Sequence, residues 1–345
     1  MVAFWAAVIV LALLTYVILD GYDLGIGTLT LFERDGDTRR SMLEVAGNVW
    51  DGNESWLILL AMGLWAGFPD AYATALPGLY LPLCLMLFAL IGRGFAIEMT
   101  LHRPGFDRLW GRLFGLGSLV AAFAQGVLFG GLLTGITVVD QRFAGRTWDF
   151  LGHGYALLTG CATVLLYAWV GTAQLQAKLV DDKRRRASRR LRAMTVPLVL
   201  TCALSAALLP AATDAHLRLD GVSRWLPFAY CLLIAAAGFY TAWRWAGRAP
   251  NQVSFFAAAA VETAGLLALV CLYFPQLVPP SVTIDSAAAG RTTLVFLTAM
   301  IGILGPGTVA YGIYAHWVFR SAPPASQVTE TPPAPDGRAA LSPSN

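Results

Sequence analysis

The first long apolar segment of this chain ends in Asp20-Gly21-Tyr22-Asp23-Leu24-Gly25-Ile26-Gly27, and the second begins with Trp50-Asp51-Gly52-Asn53-Glu54. Four carboxylates therefore lie in or against segments that are long enough to cross a lipid bilayer. A carboxylate is costly to bury in hydrocarbon, so one found there is usually paired, hydrated or engaged in proton transfer. These acids mark the place where we expect the chemistry of the chain to lie.

The composition around these motifs is that of a membrane protein. The chain has 345 residues, of which 57% are hydrophobic and 13% are charged, whereas soluble domains carry about 25% charged residues. Nine apolar stretches reach the roughly 20 residues that a spanning helix needs. The sequence thus predicts an all-α polytopic membrane protein, with one transmembrane domain over residues 1–320. The nine predicted transmembrane helices cover residues 2–32, 43–68, 74–100, 112–138, 151–178, 193–212, 225–246, 252–274 and 292–319.

Positive charges in the loops predict the orientation of the chain. Residues 178–192 carry eight Lys and Arg side chains, and ten more fall on the same side of the predicted topology, against five on the other. Because cytoplasmic loops are enriched in Lys and Arg, we expect the N-terminus outside and the C-terminus inside. We interpret the basic segment as a topology determinant that also meets anionic lipid, with no nucleic-acid role. Residues 321–345, rich in Pro, Ser and Ala, are expected to form a disordered cytoplasmic tail.

The acidic motifs and one arginine predict a polar pocket. Asp20 and Asp23 are three residues apart and share a helix face, and the same holds for Asp51 and Glu54. Arg93 lies inside the third predicted helix, where we expect it to be the counter-ion of a carboxylate on another helix. We therefore expect a partly hydrated pocket that opens toward the cytoplasm and accepts protons from it.

The carboxylates need not all have the same role. An aspartate at an interface often only caps or anchors a helix end, which is the alternative to proton transfer for Asp20 and Asp51. Asp20 and Glu54 are interpreted as structural or supporting residues. Asp51, in a polar segment flanked by two Trp, is the expected proton carrier. For Asp23 the sequence favours neither proton transfer nor structural support. Glu262, near the middle of the eighth predicted helix, is either a functional carboxyl group with Gln125 or Gln174 as partner, or a protonated packing residue.

Several kinds of centre are not indicated by the sequence. None of the five cysteines forms a CxxC motif, and the four histidines (His102, His153, His216 and His316) form no predicted mid-membrane pair. We therefore expect no haem or metal ligated by this chain. Two readings outside redox enzymes remain: a proton-coupled secondary transporter and a purely structural scaffold. Transporters often place discontinuous helices near the midplane of both halves, whereas these motifs lie toward a cytoplasmic edge.

The paired motifs resemble those of a known family, subunit II of the cytochrome bd quinol oxidases, including its cyanide-insensitive branch. The first helix of that family typically ends in Asp-Gly-Tyr/Phe-Asp-Leu/Met-Gly-Val/Ile-Gly, and the second begins with Trp-Asp-Gly-Asn-Glu/Gln. Here Ser55 stands where Val is common, and Arg93 falls where the family has an arginine in helix three. The likeness continues through the proline-containing segment 274–281 and covers nearly the whole chain up to about residue 320.

The resemblance implies a fold of two four-helix bundles plus a ninth, peripheral helix. It also implies a partner, subunit I, which would hold two b-type haems, one d-type haem and the quinol site. A small accessory subunit is a further possible partner, and the complex would lie in the bacterial cytoplasmic membrane. The complex would reduce oxygen to water with protons from the cytoplasm, building a gradient without pumping. Asp51 is the residue that the resemblance assigns to the proton path.

Overall fold

The computed structural model describes residues 1–47, 50–102, 107–139, 142–152, 154–213, 222–248 and 252–319. This part of the chain is mostly helical, with two small antiparallel hairpins and a 3₁₀ turn at Asp149–Leu151. The hairpins pair β1 (Val138–Val139) with β2 (Arg142–Phe143), and β3 (Gln276–Val278) with β4 (Val282–Thr283). The helices are α1 (Val2–Thr30), α2 (Gly36–Gly47), α3 (Trp50–Gly67), α4 (Pro69–Gly78), α5 (Tyr80–His102), α6 (Asp107–Leu133), α7 (Tyr155–Lys178), α8 (Asp181–Ala212), α9 (Val222–Trp245), α10 (Val253–Tyr273), α11 (Ile284–Ala287) and α12 (Arg291–Phe319).

The described residues confirm a polytopic membrane protein. Eight of their helices are long and apolar enough to cross a bilayer: α1, α5, α6, α7, α8, α9, α10 and α12. The count rises to nine if α3 and α4, which meet at an angle of 116°, are taken as one broken span. The predicted number of nine spans and the orientation of the termini remain predictions, as does the tail 321–345, which lies outside the described residues.

The second and third predicted spans have different boundaries in the structure. The predicted span 43–68 is divided, because α2 ends at Gly47 and α3 begins at Trp50. The third span does not begin at residue 74, since α4 bends sharply away from α3 and α5 starts only at Tyr80. Pro69 occupies the first turn of α4, where its missing N–H group costs no hydrogen bond, so it begins a new helix in a new direction.

The basic segment 178–192 was expected to be a loop, and this expectation is wrong. Most of it is helical, because α8 begins at Asp181 and runs for 32 residues. Two acidic residues in the first turn, Asp181 and Asp182, favour this start because they complement the positive end of the helix dipole. The basic side chains therefore project from a helix that begins before residue 193, the predicted start of the sixth span.

α1 is the most deeply embedded element along its second half, where every residue from Asp20 to Thr30 is buried. It packs against α3, α6, α7 and α10. A small-residue contact joins α1 to α7: a Cβ atom at Gly25 would lie 1.8 Å from the backbone oxygen of Tyr167 on α7. Only glycine allows the two helices to approach this closely, and that approach brings the acidic motif into the protein interior.

The remaining spans form a series of neighbouring pairs. α5 packs on α6 and α6 packs on α7, while α7, α8, α9 and α10 form a closed ring of contacts. α12 lies outside these helices and packs on α3, and the Trp5 indole on α1 donates a hydrogen bond to the Thr298 hydroxyl at 3.1 Å. These contacts agree with two four-helix groups and a peripheral helix, an arrangement that remains a prediction.

Candidate functional site

Arg93 lies at the centre of a buried ionic cluster. Its Nη2 atom is 2.8 Å from Asp20 Oδ1 and 3.1 Å from Glu54 Oε1, and its Nε atom donates to the same Glu54 oxygen at 3.2 Å. The Arg93 and Asp20 side chains are fully buried, and the Glu54 side chain is 22% exposed. The guanidinium also lies 5.8 Å from the centre of the Phe114 ring. The expected pairing of Arg93 with a carboxylate on another helix is therefore present, and it joins α1, α3 and α5.

A second part of the cluster surrounds Asp23. The Asn53 side chain of α3 donates to Asp23 Oδ2 at 2.6 Å, and its nitrogen is also 3.2 Å from the Tyr22 hydroxyl. The same amide reaches the backbone oxygen of Leu19 at 3.2 Å. Asp23 and Asn53 are both fully buried. Asn53 thus fixes α3 against α1 and supplies the side-chain hydrogen bond that Asp23 accepts.

The cluster retains unused hydrogen-bonding capacity. Four buried side-chain atoms in it have no partner among the described residues: Asp20 Oδ2, Asp23 Oδ1, Asn53 Oδ1 and Arg93 Nη1. Buried polar atoms are nearly always satisfied, and each exception calls for a physical explanation. A group of three carboxylates, one amide and one guanidinium with free acceptor and donor positions has the chemistry needed to bind and release protons.

Asp51 lies apart from this cluster. Its side chain is exposed, and its Oδ1 atom accepts a hydrogen bond from the adjacent Gly52 N–H at 2.8 Å. It is one helical turn before Glu54, close enough for its charge to act on that carboxyl group. Of the side chains expected to line one pocket, the structure brings Asp20, Asp23, Glu54 and Arg93 together, and Asp51 lies at the outer edge of this cluster. The interpretation of Asp20 as a helix-end anchor is wrong, because Asp20 lies inside α1 and is paired with Arg93.

A row of polar side chains leads away from Asp20 through the helix interior. The Gln125 amide on α6 donates to the Tyr16 hydroxyl on α1 at 2.6 Å, and the Tyr167 hydroxyl on α7 donates to Gln125 Oε1 at 2.9 Å. The Tyr16 hydroxyl lies one turn before Asp20 and interacts with that carboxylate. The sequence reasoning missed this row, although a glutamine and two tyrosines within apolar segments were a signal of buried hydrogen bonding.

Glu262 has neither of the partners expected for it. Gln125 is engaged with Tyr16 and Tyr167, and both carboxyl oxygens of Glu262 lack a hydrogen-bond partner among the described residues. The side chain is 3% exposed. Gln174 also keeps a buried oxygen without a partner, so it does not supply the expected bond either.

The described residues contain no group of three or more His, Cys, Asp or Glu with the arrangement of a metal site. The histidines cannot be placed in this respect: His153 and His216 lie outside the described residues, as do the side chains of His102 and His316. The expectation that this chain ligates no haem therefore remains a prediction.

Comparisons with known proteins decide the family. Residues 1–319 match the family model of cytochrome bd terminal oxidase subunit II. The chain belongs to this family. Since the match covers nearly the whole chain, the resemblance noted from the two acidic motifs is confirmed.

Related proteins agree with this assignment. The chain is 27% identical over 331 residues to cytochrome bd ubiquinol oxidase subunit 2 of Bacillus subtilis (strain 168), an alignment that covers 92% of this chain and 95% of that protein. It is 32% identical over 200 residues to cytochrome bd-I ubiquinol oxidase subunit 2 of Escherichia coli (strain K12), covering 55% and 52%. The bd oxidase structure from Geobacillus thermodenitrificans has the same fold, with a TM-score of 0.77 at 16% identity over 92% of this chain and 97% of that one.

As a member of the subunit II family, the chain is part of a bd-type terminal oxidase, which is an oxidoreductase complex of the respiratory chain with haem cofactors. Membership also implies a subunit I partner. It favours the oxidase over a secondary transporter or a structural scaffold, the two other readings of the sequence.

Proposed function

We propose that this chain is the non-haem subunit of a quinol:oxygen oxidoreductase in the bacterial cytoplasmic membrane. It supports a subunit I that carries two b-type haems, one d-type haem and the quinol site, and it supplies part of the proton path. Reduction of one oxygen molecule takes four electrons, from two quinols, and four protons, and yields two water molecules. The observation that carries the proposal is the buried cluster of Asp20, Asp23, Glu54 and Arg93, because such a cluster is costly unless its charges are used.

The orientation predicted from the loop charges places the start of α3 at the cytoplasmic side. Asp51 is then the group that meets water or the partner first, and Glu54 lies one turn deeper. A cysteine introduced at the exposed Asp182, in the basic part of α8, tests this orientation. Such a cysteine should resist an impermeant thiol reagent added to intact cells, and rapid labelling from outside would reverse the assignment.

Each group in the cluster has a distinct part in proton transfer. Asp51 collects a proton at the surface, and Glu54, which is partly exposed, passes it inward. Arg93 stays positively charged and balances the carboxylate that has just lost its proton, so a proton can move on without leaving an unpaired negative charge. Asp20 and Asp23, three residues apart on α1, continue the path beyond the guanidinium. Each has one oxygen atom without a hydrogen-bond partner among the described residues, and this atom accepts the next proton.

The exposed stripe of α3 is the surface that we assign to subunit I. Ile58, Met62 and Trp65 are exposed at 65%, 52% and 57%, and they follow Asp51 and Ser55 along one face of the helix. An acidic group at the end of an apolar stripe is costly to leave against lipid, so a protein surface with polar groups is the better neighbour. The exposed Arg185 and Arg189 of α8 face the membrane boundary instead, where anionic lipid headgroups attract them.

The cycle builds a proton gradient without a pump, because the protons consumed come from the cytoplasm while quinol oxidation releases its protons on the other side. A small accessory subunit remains compatible with the exposed faces of the helices.

The experiment uses the complex assembled with its haem-bearing partner. Asp51→Asn keeps the shape and hydrogen bonding of the side chain but cannot carry a proton. It should leave haem content unchanged and slow oxygen consumption per haem by about tenfold or more, since positioned acid–base groups typically contribute about 10²–10⁴-fold. Asp70→Asn, at an exposed position in the first turn of α4, is the matched control. Equal rates for Asp51→Asn and wild type at every pH would make Asp51 a structural residue.

A further inference from the structure

Glu262 is a buried carboxyl group that the proposed path does not use. It lies near the middle of α10, is 3% exposed and has no hydrogen-bond partner for either oxygen among the described residues. α10 is packed against α1, α7 and α9, so this carboxyl group lies between helices and not against lipid. A packing role alone does not explain it, because an apolar side chain fills the same space without burying two unsatisfied oxygens.

The groups that face Glu262 come from three helices. From α7, the Tyr167 hydroxyl is close enough for the charge of Glu262 to act on it. From α9, Gly238 packs against the Val261 side chain and the Ala257 backbone, which flank Glu262 on α10. From α1, Asp20 also acts on Tyr167 from the far side. Because the described groups around Glu262 include no cation, the site favours a neutral carboxyl group over a carboxylate.

The hydrogen bonds next to Glu262 have a direction. Tyr167 gives its hydroxyl hydrogen to Gln125 Oε1, and Gln125 gives an amide hydrogen to the Tyr16 oxygen. The hydrogen of Tyr16 is then free to point toward Asp20, whose Oδ2 atom has no other partner. At the opposite end, the lone pairs of the Tyr167 oxygen are free. The row therefore offers a donor toward Asp20, whereas its other end is the partly negative Tyr167 oxygen, on which the charge of Glu262 acts. This polarity suits an ionised Asp20 and a protonated Glu262.

We propose that Glu262 is a second proton-binding site of this chain, coupled to Asp20 through the row formed by Tyr167, Gln125 and Tyr16. The Gln125 amide has a fixed donor end and a fixed acceptor end, so the row does not conduct protons. The row instead transmits an electrostatic effect. A change of protonation at one end alters the polarisation of every hydrogen bond in the row, and this changes the electrostatic potential at the other end. The binding of the proton to Glu262 is independent of the function proposed above, whereas the use of the coupling during oxygen reduction rests on it.

The test measures the proton on Glu262 directly in the assembled complex. A protonated carboxyl group has a carbonyl stretching band that moves when H₂O is exchanged for D₂O, so infrared difference spectra detect it without turnover. We expect Glu262→Gln to lack one such band that wild type and the exposed control Asp70→Asn both show. A Glu262→Gln spectrum with all wild-type bands would overturn the proposal, because Glu262 would then be ionised.

The coupling is tested by variants that keep Glu262. Tyr167→Phe removes the hydroxyl on which the charge of Glu262 acts, and should shift the same band. Asp20→Asn removes the charge at the far end and should also shift it, but by less when combined with Tyr167→Phe. A shift from Asp20→Asn that is the same with Tyr or Phe at position 167 would refute the coupling. These variants also test the proposal if Glu262→Gln does not assemble, with Glu262→Asp then used to assign the band.

The outcome is separable from that of the proposed proton path. The infrared bands report protonation in the resting complex, whereas the Asp51→Asn experiment reports turnover. If Asp51→Asn has normal turnover while the Glu262 band behaves as expected, the path fails and the proton-binding site stands. The reverse result removes the site and leaves the path intact.

Discussion

Two groups of arginine–carboxylate pairs hold different parts of this molecule together, and their surroundings differ. Arg93 is paired with Asp20 and Glu54 inside the helices, and its side chain has no solvent exposure. At the start of α8, Arg190 is 3.2 Å from Glu33 with side chains 32% and 11% exposed, and this pair lies near water. The free-energy cost of removing these charged groups from water is therefore large around Arg93 and small around Arg190.

The contrast between these surroundings shows which ion pairs need a reason beyond stability. A buried pair gains little net stability, because removing two charges from water consumes most of their attraction, and apolar residues of the same volume often replace it without loss. An exposed pair can be present simply because it helps two elements to dock. In this chain the α8 pairs and the bond from Lys183 to the Ser41 hydroxyl, at 2.9 Å, join α8 to the region of α2. The Arg93 cluster needs a further reason, and proton transfer supplies one.

The largest expected effect comes from removing the arginine of the buried group. Arg93→Met leaves Asp20 and Glu54 buried without a counter-ion, and breaking a buried pair in this way typically costs about 3–5 kcal/mol. We expect a strong loss of folded, assembled complex in size-exclusion chromatography and a lower thermal midpoint. A variant that also carries Asp20→Asn and Glu54→Gln should recover much of the loss. Wild-type stability of Arg93→Met alone would show that the cluster is not desolvated.

A smaller effect is expected from separating the helices that carry the buried group. Gly25→Ala places a methyl group in the backbone of α7, and overpacking of this kind typically costs about 1–3 kcal/mol. Gly52→Ala is the matched control, because a Cβ atom there meets no atom within 4 Å. Thermal unfolding of the two complexes should differ clearly. Equal midpoints would mean that α1 and α7 do not approach as closely as the structure shows.

The exposed group should respond weakly to substitution and clearly to salt. Arg190→Gln removes the pair with Glu33, which is partly exposed, and pairs that stay in contact with water are worth about 0–1 kcal/mol. The small loss should shrink further as ionic strength rises, because salt screens the interaction. Thermal midpoints of wild type and Arg190→Gln at low and high salt check this. A loss as large as that of Arg93→Met would remove the distinction between the two groups.

The smallest effect concerns acid stability at the start of α2. The Thr38 hydroxyl donates to Asp35 Oδ2 at 2.5 Å, and this bond, with the nearby Arg186, lowers the pKa of Asp35. Since the pKa of Asp35 is lower in the folded state, its contribution is full above the unfolded pKa and is lost as the pH falls through the folded value. Thr38→Val should therefore reduce stability slightly at neutral pH and not at strongly acidic pH. Parallel unfolding profiles across this range would contradict the assignment.

The sequence predicted the partners of Arg93 for a simple reason: an arginine inside an apolar segment needs a carboxylate, and the acidic motifs were the available source. It did not predict the exposure of Asp51. Successive residues of a helix are 100° apart, so Asn53 points almost opposite to Asp51. Once Asn53 faces Asp23 on α1, Asp51 must face outward, but only the packing of α3 on α1 reveals which of the two is inside.

Other features also needed the packing of distant helices. The row from Tyr16 through Gln125 to Tyr167 uses three helices whose neighbours in space are not specified by hydrophobic patterns. The helical start of α8 was missed because a charged run was interpreted as a loop, although its arginines and lysines have good helix propensity. The polytopic helical character of the chain, in contrast, followed directly from the length of its apolar segments.

Asp23→Asn is the sharpest test of whether the buried carboxylates carry protons for oxygen reduction. Asp23 is fully buried and its Oδ2 atom accepts a hydrogen bond from Asn53, so the isosteric amide can occupy the same space. The measurement is oxygen consumption per haem, together with proton uptake per oxygen, in the assembled complex with Asp70→Asn as control. We predict normal haem content and a turnover lower by about tenfold or more in Asp23→Asn. Wild-type turnover in an assembled Asp23→Asn complex, at every working pH, would contradict the proton path through this cluster.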